Sequence, residues 1–277
     1  MSINRRSLLA FFGLAYALSW TLWLVAIAGT EGTGATIAEL AALAGPTAAA
    51  AIVAWRVGWI REWVAGILRW RVPIRWWAVT LVLPLAHLVA MHVGLVLTGN
   101  DAVDLSLLPA QAISYLPALV VTTIAMGGLN EEPGWRGFAL PHLQQRFSPV
   151  RATLVLGTAW AIWHLPTFAF PAAREGLEVA EVGMLVGGAL IEVVAWAFIF
   201  TWLYNNTNST LLCILLHGGI NAATASLLLP PDALQGGAYL QVALTGNATV
   251  LAAAMALVLL TRGRLGQPPV RLATAGP

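Results

Sequence analysis

"GGLNEEPGWRGFALPHLQ" runs from Gly127 to Gln144. Two glutamates stand side by side at positions 131 and 132. An apolar segment leads into them, Pro133 and Gly134 follow at once, and an arginine comes at 136. Whether this stretch lies inside a bilayer or beside it decides how the fold is read. The surrounding chain argues for a membrane. Of 277 residues, 59% are hydrophobic and 9% charged, against about 25% charged in ordinary soluble domains. The chain has 13 Trp and no Lys. Its single Cys213 excludes an internal disulfide and a cysteine-built metal site. The net charge of +2 carries little information. In a membrane protein the placement of the arginines matters more.

A hydrocarbon core of about 30 Å takes about 20 apolar residues per helix. Eight segments qualify: 8–28, 36–55, 76–97, 117 to near 139, 150–170, 182–204, 210–229 and 239–260. Between the second and third, "RVGWIREWVAGILRWRVPIR" (56–75) alternates arginine and tryptophan with aliphatics and reads as an interfacial amphipathic helix. Arg5 and Arg6 precede the first apolar run, which no A-x-A cleavage site ends, so a retained first helix is expected. With the N-terminus inside, Arg5, Arg6, Arg56, Arg61, Arg69, Arg71, Arg75, Arg136, Arg146, Arg151, Arg262, Arg264 and Arg271 fall on the cytoplasmic side. Only Arg174 falls outside. This asymmetry predicts an all-α polytopic membrane bundle of eight transmembrane helices, with both termini cytoplasmic. The whole chain, 1–277, reads as one membrane domain in the cell membrane. No internal repeat is found, and no nucleic-acid partner is expected.

An ionisable side chain within a membrane helix costs about 2.5–3.5 kcal/mol and is a functional hypothesis by default. The glutamate pair would sit harmlessly in a cytoplasmic loop if the fourth helix began at Gln111. Pro117, however, suits a first helical turn. Counted from there, Glu131 lies about 21 Å along the helix and roughly 9 Å below the inner surface. The buried reading is preferred. Arg136 then stands one turn after Glu132 and can pair with it, while Glu131 points about 100° away and is free for chemistry. Pro133 should loosen the ladder behind them.

His164, in "GTAWAIWHLPTF", taken alone is an ordinary core histidine; its estimated depth is about 15 Å. His217 and Asn221, in "STLLCILLHGGINAATA", share one helix face at about 12 and 18 Å from Ser209. Taken alone, they make a helix–helix hydrogen bond. Together, Glu131, His164, His217 and Asn221 sit on three helices at similar depth in the cytoplasmic half. A carboxylate, two imidazoles and an amide are what a water-activating hydrolase requires: a base, an orienting group and donors for an oxyanion.

These residues resemble the CPBP or ABI family of CAAX proteases and bacteriocin-processing enzymes, intramembrane glutamic endopeptidases. Its pattern is E-E-x-x-x-R, F-x-x-x-H and H-x-x-x-N. Here the motifs read Glu131-Glu132-Pro-Gly-Trp-Arg136, Trp160-Ala-Ile-Trp-His164 and His217-Gly-Gly-Ile-Asn221. Trp160 stands where phenylalanine is usual. The resemblance covers roughly 115–225. It implies that Glu131 is the general base, with His164 assisting. It implies that His217 and Asn221 form the oxyanion hole, and that Glu132 and Arg136 hold Glu131 in place. The implied partners are the lipid bilayer and a peptide or protein substrate, prenylated for some relatives. No cofactor is expected. A glutamate with two histidines resembles a zinc set, but the glutamate mechanism fits better without H-E-x-x-H. A non-catalytic immunity or scaffolding protein of the same family is the alternative. A proton-coupled transporter ranks last, for want of a repeat.

Other polar residues fall outside this set. Glu192, mid-helix in "GGALIEVVAWAF", pairs with a histidine or lines a cavity. His87 and His92 read as packing residues, and His142 as a solvated interfacial one.

Overall fold

The computed structural model describes residues 4–28, 32–174, 178–234 and 236–267. Arg271, one of the arginines assigned to the cytoplasmic side, lies outside them. The described chain is helical throughout. α1 (Arg5–Ala28) is followed by α2 (Thr33–Leu43) and α3 (Gly45–Arg56). The last two are bent by 48° at Ala44, where Pro46 opens the first turn of α3. α4 (Ile60–Ile67) is the short amphipathic piece, and α5 (Ile74–Leu97) is a long apolar helix. α6 (Leu108–Ile124) and α7 (Gly128–Gly134) are separated by a break. A widened π-turn over Trp135–Ala139 then leads to α8 (Leu140–Leu143). α9 (Pro149–Trp163) and α10 (Leu165–Arg174) meet at His164. α11 (Val179–Thr207), α12 (Thr210–Thr224) and α13 (Gly236–Leu260) complete the bundle.

Among the described residues, five helices are long and apolar enough to cross a membrane, six if α2 and α3 form one bent span. The sequence expectation of eight differs at identifiable places. The stretch from 117 to 139 is not one helix. α6 starts at Leu108, with Pro109 in its first turn, and Pro117 lies inside it. The chain breaks at 125–127 and starts again. Near His164, Pro166 removes a backbone donor and ends α9. α9 and α12 have 15 residues each, which at about 1.5 Å per residue fall short of the roughly 30 Å hydrocarbon core.

The buried core is built by α1, α3, α9, α11 and α12 around the α7–α8 segment, with Phe11, Trp135, Phe138, Trp163 and Phe200 almost wholly enclosed. Polar contacts fix the helices where backbone groups are left over. Trp163 O, at the end of α9, is beyond the helix's own i→i+4 bonds. Trp20 Nε1 donates to it at 3.0 Å, and Tyr16 adds a second bond to Ala159 O at 2.5 Å, so α1 closes that end. Thr47 of α3 donates to Leu129 O at 3.1 Å.

α4 does more than lie at a surface. Its Trp63 is buried and donates from Nε1 to Pro133 O at 2.8 Å, directly behind the glutamate pair. Replacing one hydrogen-bond partner in a buried setting leaves the other unsatisfied, at about 1–3 kcal/mol. Trp63→Phe is therefore expected to lower thermal stability of the purified protein by that order while preserving its helical content. Unfolding followed by circular dichroism in detergent checks it.

Candidate functional site

The break between α6 and α7 creates the site. Gly127 has φ +121°, which a side chain rarely adopts. Space is equally tight. A Cβ at 127 would stand 2.5 Å from His217 Nε2 and 2.9 Å from Asn221 Nδ2. The freed carbonyls at the end of α6 are capped from outside the helix. Asn130 Nδ2 donates to Ala125 O at 2.8 Å, and Asn221 Nδ2 donates to Met126 O at 2.7 Å. Because the chain restarts at Gly128, the glutamates fall in the first turns of a new short helix packed within the bundle. They are therefore buried, although the early start of α6 alone would have carried a continuous helix to the far surface.

Glu131 and Glu132 are 2% and 0% exposed, and Arg136 is 0%. Arg136 Nη1 donates to both oxygens of Glu132, at 2.8 and 3.0 Å. Its guanidinium also lies 4.0 Å from the Trp160 ring centroid and 4.2 Å from that of Phe200. Two aromatic faces thus take over from water on this cation. His217 Nδ1 meets Glu132 Oε1 at 2.8 Å. The carboxylate accepts, so Nδ1 carries the proton and Nε2 faces the other way, toward Glu131 Oε1 at 4.0 Å. His164 is arranged alike. Its Nδ1 donates to Trp160 O at 3.0 Å, and its Nε2 faces Glu131 Oε2 at 3.8 Å. Its ring stacks on Phe168 at 5.2 Å and 7°.

The two glutamates therefore have different surroundings. Glu132 is neutralised and held by three hydrogen bonds from two side chains. Glu131 faces two imidazole Nε2 atoms across gaps beyond direct hydrogen-bond reach, at a separation that one water can bridge. Asn221 lies on the other side of His217 Nε2, across Gly127. One of its amide hydrogens is committed to Met126; an amide nitrogen has two.

One contact was not readable from residue types. Trp160 Nε1 donates to Glu131 Oε2 at 2.6 Å. The aromatic of the second motif is placed by its ring face against Arg136, which phenylalanine could also provide. Its indole N–H adds a bond to the carboxylate that phenylalanine cannot. The departure of this sequence from the usual residue was the available signal.

Other expectations are corrected or resolved. His142 is not solvated; it is fully buried. The π-turn, in which Leu140 N–H bonds Trp135 O, swings it inward. There its Nδ1 donates to Phe138 O at 2.6 Å and its ring packs edge-on to Trp59. His87 packs against Trp196, and His92 accepts from Leu228 N–H at 2.9 Å. Glu192 lines a cavity and makes no histidine pair. Among the described residues, no group of three or more His, Cys, Asp and Glu side chains is arranged to hold a metal ion.

Residues 112–223 match the family model described as type II CAAX prenyl endopeptidase, Rce1-like. Over 120 residues the chain is 29% identical to a protein named CAAX prenyl protease 2 from Methanococcus maripaludis. That alignment covers 43% of this chain and 43% of the relative, so the similarity spans less than half of either. Both findings support the CAAX prenyl protease family, and the matched segment contains all three motifs.

The ion pair at the centre makes a stability prediction. Removing one partner of a buried pair leaves an uncompensated charge and costs about 3–5 kcal/mol. Arg136→Ala should therefore yield little folded protein. Arg136→Lys should recover only part of it, since an ammonium lacks the planar guanidinium faces that Trp160 and Phe200 cover. Yield of monodisperse protein by size exclusion in detergent measures this.

Proposed function

We propose that this chain is an intramembrane endopeptidase in which Glu131 activates the attacking water. The observation that carries the reading is the convergence of two imidazole Nε2 atoms on one buried carboxylate, at 3.8 and 4.0 Å. A water placed between them donates one hydrogen to Glu131 and the other to His164 Nε2, which leaves an oxygen lone pair for a carbonyl carbon. As the oxygen attacks, Glu131 takes the proton and the carbonyl electrons move onto its oxygen. The second amide hydrogen of Asn221 is available to that oxyanion. So is His217 Nε2, in a ring carrying both protons whose charge the two flanking carboxylates would balance. When the C–N bond breaks, the proton on Glu131 passes to the departing amine, and the carboxylate is restored.

Glu132 and Arg136 are the positioning pair in this reading. Through His217 Nδ1 they fix the ring that faces Glu131. No metal or cofactor enters the proposed steps. The substrate is a peptide or protein segment brought to the cytoplasmic half of the bilayer, and a lipidated segment is the first class to try. The finer topology, eight crossings with both ends cytoplasmic, belongs to this proposal and rests on the arginine distribution.

Glu131→Gln keeps size and loses the base. Reconstituted protein carrying it should show no cleavage of a fluorogenic prenylated CAAX peptide. Membranes of cells expressing it should accumulate precursors that wild type removes, as seen by comparative proteomics. Cleavage at the wild-type rate would end the proposal and favour a scaffolding role. Trp160→Phe should retain the ring packing on Arg136 and lose only the indole donor. The expected result is a kcat lower by roughly 10- to 100-fold, the worth of one bond to a charged group, with KM little changed.

A further inference from the structure

Glu192 is a carboxylate within the bundle that the proposed chemistry leaves unused. It sits in the middle of α11, and its one hydrogen bond among the described residues is a long one, from Trp196 Nε1 at 3.4 Å. A carboxylate offers about four acceptor positions, so most of its capacity is unspent. It lines a cavity of about 370 Å³ between α10, α11 and α13, together with Thr167, Phe168, Tyr239 and Asn247.

Asn247 and Thr167, on the same cavity, also present acceptors. Asn247 Oδ1 is buried and has no hydrogen-bond partner among the described residues. Its amide packs over Gly188, where a Cβ would stand 2.5 Å from Nδ2. Gly188 is one turn from Glu192 on the same face of α11, so the carboxylate and the amide reach the cavity from facing helices. Thr167 spends its hydroxyl hydrogen on His164 O at 2.8 Å, which leaves its oxygen lone pairs. None of the described lining residues is basic. Buried acceptors without donors are costly, and the complement they lack is a donor with positive charge.

The cavity adjoins the catalytic cluster on two sides. Phe168, in its wall, stacks on His164. Glu192, Trp196 and Phe200 follow one another at four-residue intervals on one face of α11, and the Phe200 ring lies 5.8 Å from that of His217. Eight residues of helix span about 12 Å. An extended peptide covers that distance in three to four residues, at about 3.3 Å each.

We propose that the cavity lined by Glu192, Asn247 and Thr167 is a specificity site. It takes the ammonium or guanidinium of a lysine or arginine three to four residues from the scissile bond. The proposal rests on the endopeptidase reading for the scissile bond, but binding at the cavity can be measured without cleavage. The probe is a set of fluorescent prenylated CAAX peptides of ten residues, each with one lysine moved along an otherwise neutral sequence. A norleucine peptide is the control. Binding is measured by fluorescence polarisation to Glu131→Gln protein in nanodiscs, with and without Glu192→Gln. Thermal melting checks that both proteins are folded.

The expected result is one lysine position that binds on the order of 10-fold tighter than norleucine, with the preference lost in the Glu192→Gln protein. In the otherwise wild-type chain, Glu192→Gln should raise KM for that peptide and leave kcat unchanged. Equal binding at all positions, or a lysine preference that survives Glu192→Gln, would overturn the site. Undiminished cleavage by Glu131→Gln would overturn the catalytic reading instead, and the binding comparison would still decide the cavity.

Discussion

A protein that buries two adjacent carboxylates in an apolar bundle has to neutralise at least one of them on the spot. Here Arg136 does so for Glu132, with both bonds to one nitrogen and with its flat faces covered by Trp160 and Phe200. The remaining structure is organised around that pair. Glu132 holds His217 through Nδ1. His217 excludes any side chain from position 127, and the resulting glycine is where α6 stops and α7 starts. Trp160, clamped on the cation, offers its N–H to Glu131. One neutralised charge thus fixes Glu131, one imidazole and the helix break. Burial makes the arrangement expensive to assemble and costly to leave half complete.

The residues that meet at this site were legible in the sequence because they follow helical arithmetic. Glu132 and Arg136 are four apart, as are His217 and Asn221, and depth counting put all three helices at one level. The way they meet was not legible. A depth count assumes an unbroken helix, and the count from Pro117 reached burial from a wrong starting point. The Gly127-Gly128 pair marks the break, and a count along an unbroken helix passes over it. Five or six described helices pass the length test where the hydropathy reading counts eight, for a related reason. Apolar residues continue past the ends of α9 and α12, so a hydropathy window joins a short helix to the turn after it. His142 was misplaced because residue type cannot reveal a π-turn. Trp160 was recorded as an aromatic substitution, and its N–H mattered more than its ring.

The surroundings also separate two tasks that the motifs present as one. The α7–α9–α12 cluster is tightly enclosed and holds reactive groups at fixed distances. The Glu192 cavity, about 12 Å up α11, is open enough to receive a side chain. On the proposed reading, rigid geometry around Glu131 would serve rate, and the adjustable space some residues away would serve choice of sequence.

The hydrogen bonds from Tyr16 and Trp20 to the end of α9 bear on what counts as a unit. The matched segment, 112–223, contains every motif residue, yet the Trp163 carbonyl beside His164 is satisfied by α1, and Pro46 of α3 lies against Gly134 next to the glutamates. The segment that carries the similarity is therefore not a part that can be cut out and moved. A chimera that grafts it onto another protein's flanking helices would have to carry donors at the places of Tyr16 and Trp20. Divergence in those flanking helices is limited by backbone groups that belong to the shared core.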